Sequence, residues 1–204
     1  MSLPSPSPQP VQIDGTDYTL VAFYYPGRNT AWDDIYNVPY FGNFWITPVT
    51  LTPPGLPTGS FHTAEAAFQA TKWWQDASIR KKFEAAPNGD RAFYTRNHAG
   101  PQTNHDWAGF GRDGAMDAVL ASKFADADLA AALRATGDAY LLEHNSHTGR
   151  DSYWSDNCDG TGSNHLGLAL MRLRATLGGS PFDPSAYPSP GDFTPHVQGA
   201  TACR

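Results

Sequence analysis

Four stretches of the chain place apolar residues at helical spacing. The predicted helices cover 63–85, 113–124, 128–136 and 164–177. Thr63 can cap the first of these and Asp113 the second, because short polar side chains accept hydrogen bonds from the free N–H groups of a first helical turn. Gly137 is expected to end the third helix in a left-handed conformation.

Other stretches favour strands or turns. Residues 11–25 mix Val, Tyr, Thr and Phe and predict a strand that Pro26–Gly27 ends. A weaker alternation over 139–143 predicts another strand. Between 36 and 61, aromatic residues stand among prolines, which indicates short strands and turns rather than helix.

Prolines are concentrated at both ends of the 204-residue chain. Segments rich in Pro, Ser and Gly bury too little apolar surface to offset the entropy lost on ordering. We therefore expect flexible arms at 1–10 and 179–204 and one working domain over 11–178. The composition, 40% hydrophobic and 17% charged, excludes a transmembrane protein and a coiled coil.

The net charge and the cysteine content restrict which binding partners and which cellular compartment we expect. The net charge is -6 and the longest basic run is Arg80-Lys81-Lys82, so no footprint for long nucleic acid is evident. The two cysteines, Cys158 and Cys203, are far apart in sequence and do not have the pattern of a disulfide framework. This favours a reduced compartment. The first residues lack the charged and apolar regions of a secretory signal. We therefore expect a cytoplasmic protein.

Three polar residues share the apolar side of the first predicted helix. Glu65, Gln69 and Lys72 lie on one stripe with Phe68. One interpretation is that this stripe begins in solvent, which Asp76 on the same stripe favours. The other is a pocket in which Glu65 acts as base or nucleophile and Lys72 orients it or attacks a carbonyl carbon.

A second polar segment runs from Asp151 into the last predicted helix. Gly160 and Gly162 precede that helix, where free backbone N–H groups and the positive end of the helix dipole can receive a phosphate. The alternative is an ordinary turn in which Asn164 caps the helix.

Other chemistry is not indicated by the motifs. The histidines and cysteines form no zinc-binding pattern, so we expect no metal, and we also expect no cofactor. A serine nucleophile in a G-x-S-x-G motif is absent as well. Trp107 and Trp154 stand in polar, glycine-rich contexts that suit stacking on a base, although a core position is the commoner fate of tryptophan.

Seven segments together identify a resemblance. They are FYYPG, FGNFW, TAEAAFQATKWW, DW before GAMDAVLASKF, LRATGDAYLLEH, DSYWSD and GTGSNHLGLALMRLR, in this order between residues 20 and 177. In this set the chain resembles the NADAR superfamily, also called YbiA-like. The resemblance implies an α+β fold, a compact and mainly helical single domain with a few short strands. It also implies an enzyme without metal that cleaves N-glycosidic bonds.

The resemblance implies roles for individual residues. Glu65 matches the family's catalytic glutamate, Lys72 its helix lysine, and Asp151 an aspartate that would bind ribose hydroxyls during catalysis. Ala66 departs from the family, in which many members carry histidine. Ligand binding is expected at Asn43, Phe44, Gln69, Trp107, Trp154, Gly160, Gly162 and Asn164.

Two substrate classes are associated with the family, and we favour ADP-ribose attached to guanine bases of nucleic acid or nucleotides. The long stretch 31–59, rich in proline and aromatic residues, offers room for a large ligand. The alternatives are phosphoribosylamino-pyrimidine intermediates of riboflavin synthesis and a non-catalytic module that binds ADP-ribose or NAD. We expect no membrane and no obligate protein partner. The sequence is compatible with two routes. Glu65 can support direct hydrolysis, or Lys72 can trap the C1 aldehyde as a Schiff base.

Overall fold

The computed structural model describes residues 3–24 and 31–204, and in these residues helices predominate over a few short strands. The strands are β1 (Gln9–Ile13), β2 (Thr16–Phe23), β3 (Ile46–Leu51), β4 (Gly59–Thr63) and β5 (Tyr140–Glu143). The helices are α1 (Ala31–Tyr36), α2 (Ala64–Ala70), α3 (Ala77–Glu84), α4 (Gly89–His98), α5 (Arg112–Lys123), α6 (Ala127–Ala135), α7 (His165–Thr176) and α8 (Pro190–Phe193). The predicted α+β, mainly helical class is confirmed.

The chain divides into two compact units. The first unit runs up to Gly42 and resumes at Ala127, and the second is Asn43–Asp126. Each unit has its own sheet and its own helices. The expected boundaries of a working domain at 11 and 178 stay a prediction.

The sheet of the first unit has the order β1-β2-β5. Strands β1 and β2 pair antiparallel and β2 pairs parallel with β5, so that Leu20 faces Tyr140. Asp14 and Gly15 both have positive φ and turn the chain between β1 and β2. The single strand predicted over 11–25 is therefore two strands, and its predicted end at Pro26–Gly27 lies outside the described residues.

The second unit begins with the antiparallel hairpin of β3 and β4, from which α2 follows directly. Thr63 caps α2 as predicted, since its hydroxyl accepts a hydrogen bond of 3.1 Å from the Ala66 N–H. The predicted helix 63–85 is nevertheless broken. A 3-10 turn follows α2, and Asp76 then caps α3 by accepting from the N–H groups of Ser78 and Ile79. Asp76 is therefore a cap and not part of a continuous stripe.

Helix α4 and one predicted cap differ from expectation. Pro87-Asn88-Gly89 resembles the end of a helix, but Asn88 caps a new one by accepting a hydrogen bond of 2.9 Å from the Arg91 N–H. The position before α5 is Gly111, without a side-chain cap, so the expectation of Asp113 as cap is wrong. The other predicted helices and the strand at 139–143 are confirmed to within two residues at their ends.

The segments expected to be flexible arms are folded where the structure describes them. Pro4 accepts a hydrogen bond of 2.8 Å from the Tyr40 hydroxyl, and the buried Phe193 ring stacks on Tyr140 at 4.1 Å. Proline already restricts the backbone, so a few aromatic contacts are enough to order such segments. Composition alone could not indicate these contacts.

A disulfide joins Cys158 to Cys203, with 5.8 Å between their Cα atoms. The expectation that these cysteines do not form a disulfide is therefore wrong. Sequence separation did not indicate the pairing because it depends on how the last residues fold back within the first unit. In residues 3–24 and 31–204, every helix is too short or too polar to span a membrane.

Candidate active site

Helix α2 and the turn after it join three predicted site residues by hydrogen bonds. The Gln69 Nε2 group donates to Glu65 Oε1 at 3.0 Å, and Lys72 Nζ donates to Gln69 Oε1 at 2.7 Å. Residues three and four apart on a helix are neighbours, which is why these contacts form. Glu65 is 7% exposed and Gln69 is 9% exposed. The interpretation that this stripe begins in solvent is therefore wrong.

Burial sets the charge state of Lys72. Desolvation lowers the pKa of Lys72 to about 8, against a smaller raising effect of the Glu65 charge and with a further lowering by Arg96. Its ammonium also lies over the Phe68 ring, 5.4 Å from the centroid. An amine with this pKa is neutral in part of the molecules near neutral pH and can act as nucleophile or base.

The segment Asn43–Phe44 adjoins the start of α2. The Asn43 carbonyl accepts a hydrogen bond of 2.9 Å from the Glu65 N–H. Among the described residues, the buried Asn43 Oδ1 has no hydrogen-bond partner. The Phe44 ring packs against Gly89, where a Cβ atom would lie 2.2 Å from a ring carbon. Asn43 thus holds a buried acceptor available for a ligand donor.

A strained loop after α4 contacts the backbone of Lys72. Both Thr103 and Asn104 donate backbone hydrogen bonds to the Lys72 carbonyl, at 3.1 and 2.8 Å. Trp107 has a φ of 50°, which is uncommon for a bulky residue, and its Nε1 is buried without a hydrogen-bond partner in the described part of the chain. Sequence reasoning found Trp107 but missed Asn104, because a contact to a distant backbone carbonyl leaves no local pattern.

The other predicted site residues belong to the first unit. Asp151 Oδ1 accepts from the backbone N–H groups of Tyr153 (3.0 Å) and Trp154 (2.8 Å). Burial raises the pKa of Asp151, and these hydrogen bonds offset part of that effect. The Trp154 ring meets the Tyr153 ring edge-on at 4.9 Å. Asp151 therefore shapes the turn that presents Trp154.

The glycine loop does not offer the donors that a phosphate site needs. The N–H groups of Gly160 and Gly162 both donate to the Asp156 carbonyl at 3.0 Å. The following four N–H groups donate to carbonyls of residues 152–155. A Cβ atom at 162 would lie 2.2 Å from the Ser155 oxygen, so glycine is required there by packing. In this structure the N–H groups of the glycine loop and of the start of α7 are therefore already bonded to backbone carbonyls and are not free for the predicted phosphate.

The Asn164 side chain forms structural hydrogen bonds to β5. Its Oδ1 accepts from the Glu143 N–H at 2.9 Å, and its Nδ2 donates to the Leu141 carbonyl at 2.9 Å and to the Tyr140 hydroxyl at 3.1 Å. The side chain is fully buried and makes no capping bond to α7. Both expectations for Asn164, a ligand contact and a side-chain helix cap, are wrong because its amide groups already bind β5.

A buried histidine–aspartate pair was missed. His144 Nδ1 lies 2.6 Å from Asp156 Oδ2, which also accepts from the Thr194 hydroxyl at 2.8 Å. The Trp32 ring meets His144 edge-on at 4.8 Å. In the described chain, His144 Nε2 and Trp32 Nε1 are buried without hydrogen-bond partners. The residues lie in separate segments, so no spacing in the sequence could indicate the pair.

The structure therefore groups the predicted residues by unit. Glu65, Gln69 and Lys72 lie in Asn43–Asp126 together with Asn43, Phe44 and Trp107, and the predicted residues from Asp151 to Asn164 lie in the other unit. Within the described residues, no group of three or more His, Cys, Asp or Glu side chains is arranged to hold a metal ion.

Comparison with known proteins identifies similar sequences and folds. The NADAR domain matches residues 31–178. N-glycosidase YbiA of Escherichia coli is 32% identical over 138 residues, which cover 67% of this chain and 80% of that protein. N-glycosidase Npun_R5314 of Nostoc punctiforme is 34% identical, over 56% of this chain and 73% of that protein.

Two further proteins are similar to this chain, one in sequence and one in structure, and they differ in how much of their own length the chain covers. The riboflavin biosynthesis protein VVA0006 of Vibrio vulnificus is 31% identical over 77% of this chain, which spans only 38% of that longer protein. The NMR structure of Escherichia coli YbiA superimposes with a TM-score of 0.60 at 30% identity, covering 82% of this chain and 88% of that one.

Proposed function

The chain belongs to the NADAR domain family, and from that premise we propose that it is an N-glycosidase whose reacting centre is formed by Glu65, Gln69 and Lys72. The observation that carries the proposal is the buried chain of hydrogen bonds from Lys72 through Gln69 to Glu65. A carboxylate can stabilise positive charge at C1 and an amine of lowered pKa can attack C1, so this pair suits N-glycosidic cleavage.

The chemistry can follow either of two routes. In direct hydrolysis, the C1–N bond breaks with its electron pair passing to the base, and Glu65 stabilises the positive charge at C1. Water then adds to C1 and loses a proton, which neutralises the departing base. In the covalent route, the neutral Lys72 amine attacks C1 and the base leaves with the bonding pair and a proton. The ring then opens to a Schiff base, which water hydrolyses to free the lysine.

For the substrate we propose ADP-ribose attached to guanine, in nucleotides or nucleic acid. The unpartnered Asn43 Oδ1 and Trp107 Nε1 supply one acceptor and one donor for a polar ligand in the same unit as the reacting residues. The aromatic rings of Phe44 and Trp107 suit stacking on a base or ribose.

A second candidate is hydrolysis of a phosphoribosylamino-pyrimidine. It is favoured by the similarity to a protein named for riboflavin biosynthesis. The two substrates share the C1–N bond, so the same residues would serve both.

One experiment separates these functions. The protein is incubated with ADP-ribosylated guanosine, with ADP-ribosylated DNA and with the aminouracil phosphoriboside, and the released base and sugar are followed by mass spectrometry. Turnover of the guanosine adduct is expected, and Glu65→Gln and Lys72→Ala should abolish it. Lys82→Ala, which removes an exposed ammonium, is the matched control and should keep wild-type activity.

The outcomes are distinct. Turnover of the aminouracil phosphoriboside alone would establish the second candidate. ADP-ribose binding without any turnover would contradict an enzyme and support a binding module. Borohydride trapping of an adduct at Lys72 would establish the covalent route.

The cytoplasmic location stays a proposal based on the sequence. The disulfide between Cys158 and Cys203 weighs against it, because disulfides persist mainly in oxidising compartments.

A further inference from the structure

Residues 198–204, here called the strap, follow the buried Phe193 and Val197 but have no buried side chain of their own. Ordering such a segment costs conformational entropy, and hydrogen bonds that are open to water offset little of this cost. Cys203 of the strap is exposed, whereas its disulfide partner Cys158 is buried. The disulfide therefore joins an otherwise weakly held segment to the core of the first unit.

One end of the strap lies on helix α1. The Gln198 N–H donates a hydrogen bond of 3.2 Å to the Tyr36 hydroxyl. At Gly199, a Cβ atom would lie 2.8 Å from Ile35 Cδ1 and 3.0 Å from the Ala31 Cβ, so the backbone approaches α1 more closely than a side chain would allow. The strap thus covers the face of α1 that Ala31 and Ile35 form.

The other end of the strap pairs with the loop 144–149, which follows β5. The Arg204 N–H donates to the Ser146 carbonyl, and the Thr148 N–H donates to the Arg204 backbone oxygen, both at 3.3 Å. The strap therefore links two elements, α1 and this loop, that have no covalent connection near one another in the sequence.

These two elements enclose a pair of buried rings. Trp32 of α1 meets His144 edge-on at 4.8 Å, and the two residues are 3% and 2% exposed. Among residues 3–24 and 31–204, neither Trp32 Nε1 nor His144 Nε2 has a hydrogen-bond partner. Because Asp156 binds His144 Nδ1, the Nε2 atom of the neutral ring is an acceptor, and the indole N–H is a donor. A donor and an acceptor left unpaired in the core are costly, and a polar molecule that reaches them would pair both.

The backbone at the buried end of the disulfide favours release. Asn157 and Cys158 have φ values of 63° and 68°, a left-handed conformation that costs energy in residues other than glycine. The surrounding contacts maintain it, among them a hydrogen bond of 2.9 Å from the Cys158 N–H to Asp156 Oδ1. A disulfide with one exposed sulfur is accessible to thiols in solution, and such disulfides are the labile ones.

We propose that the strap is a redox-controlled cover over the Trp32–His144 pair. The thiolate of a dithiol reductant attacks Cys203 Sγ, and the S–S electron pair passes to Cys158, which leaves as a thiolate and takes up a proton. The second thiol of the reductant then displaces Cys203 as a thiol, and the reductant departs as its own disulfide. The strap leaves α1 and the loop 144–149, and the two ring nitrogens become accessible.

This cover is independent of the proposed N-glycosidase activity. All the residues that form it belong to the first unit, whereas Glu65 and Lys72 lie in the second. The inference adds a site whose access depends on the redox state, and it requires no turnover.

The test measures access to His144 in the full chain. Diethyl pyrocarbonate acylates accessible imidazole nitrogens, and peptide mass spectrometry gives the rate at each histidine. We expect His144 to react at least tenfold faster in Cys203→Ser than in the oxidised wild type. The exposed His62, in the other unit, should react at the same rate in both proteins.

Hydrogen exchange provides a second measurement that includes the reduced wild-type chain. Exchange in peptides covering 31–36 and 144–149 should be faster in Cys203→Ser and in reduced wild type than in oxidised wild type. Exchange in 112–123, which is α5 in the second unit, should be unchanged. Ala202→Ser alters the exposed neighbour and keeps both cysteines, so it is the matched control and should behave as oxidised wild type.

Two results would overturn the cover. Equal labelling of His144 in Cys203→Ser and oxidised wild type would show that the strap does not control access to the pair. Faster exchange in all peptides, including 112–123, would show that the disulfide stabilises the whole fold instead of holding one segment. Circular dichroism verifies that Cys203→Ser is folded, and reduced wild type gives the same comparison without a substitution.

Discussion

Lys72 Nζ donates a hydrogen bond of 2.7 Å to Gln69 Oε1, and this contact determines which way the Gln69 amide faces. An ammonium has donors and no acceptor, so the amide oxygen must point to Lys72 and the amide nitrogen to Glu65. The Gln69 side chain thus binds both the Glu65 carboxylate and the Lys72 amine and holds them in position.

Replacement of Gln69 tests this positioning role. Gln69→Leu removes both hydrogen bonds while keeping the side chain's approximate size, and we expect it to lower kcat at least tenfold, because Glu65 and Lys72 lose their common support. Gln69→Glu should restore the bond to Lys72 and raise the pKa of Lys72, so that the pH profile of activity shifts to higher pH. Gln75→Leu, at an exposed position, is the control. A wild-type pH profile in Gln69→Glu would remove the positioning role.

The lowered pKa of Lys72 has a consequence for stability. The folded chain releases the Lys72 proton near pH 8 and the unfolded chain near pH 10.5, so the unfolded state binds more protons between these values and stability rises with pH there. Lys72→Met should therefore increase the free energy of unfolding at pH 7 by on the order of 1 kcal/mol after allowance for solvent screening, while abolishing turnover. The gain should disappear near pH 10.5. Urea denaturation at pH 7 and pH 10 measures it, and equal gains at both values would contradict the assignment.

Asn164 should act on stability and not on substrate binding. Asn164→Ala removes three buried hydrogen bonds, those to the Glu143 N–H, the Leu141 carbonyl and the Tyr140 hydroxyl, which we expect to cost about 2–4 kcal/mol. KM per folded molecule should stay unchanged. Thermal denaturation and steady-state kinetics give the two quantities, with the exposed Asn97→Ala as control. A raised KM with unchanged stability would restore the ligand-binding role.

The disulfide is open to direct chemical measurement. Without reductant, the denatured protein should show no free thiol with a chromogenic disulfide reagent, and after reduction it should show the two cysteines of the sequence. The double variant Cys158→Ser with Cys203→Ser should lose roughly 3–4 kcal/mol of stability, because the crosslink closes a long loop in the unfolded chain. Two free thiols before reduction would show that the bond does not form.

Local patterns predicted the elements and side chains that depend on near neighbours. The Thr63 cap and the row from Glu65 to Lys72 follow from helical spacing, and both are present in the structure. Helix α4 was missed because Asn88, at an apparent helix end, caps the next helix instead.

Local sequence patterns could not predict contacts between segments that are distant in the sequence. Asn104 reaches the Lys72 carbonyl, and the N–H groups near Gly162 find carbonyls within their own loop. The glycine loop was recognised as a motif, but whether its donors are free depends on the folded backbone. A glycine-rich motif of this kind therefore predicts a tight turn of the backbone, but it does not by itself predict that the turn binds a ligand.

The parallel pairing of β2 with β5 has a consequence for synthesis on the ribosome. Leu20 of β2 can pair with Tyr140 of β5 only after Tyr140 has been synthesised. Every residue of the unit Asn43–Asp126 leaves the exit tunnel before Tyr140 does. The unit Asn43–Asp126, which contains Glu65 and Lys72, is thus able to fold while β2 is paired with β1 but still lacks β5. During that interval the nascent chain presents an open strand edge, and we expect chaperone binding to be concentrated there.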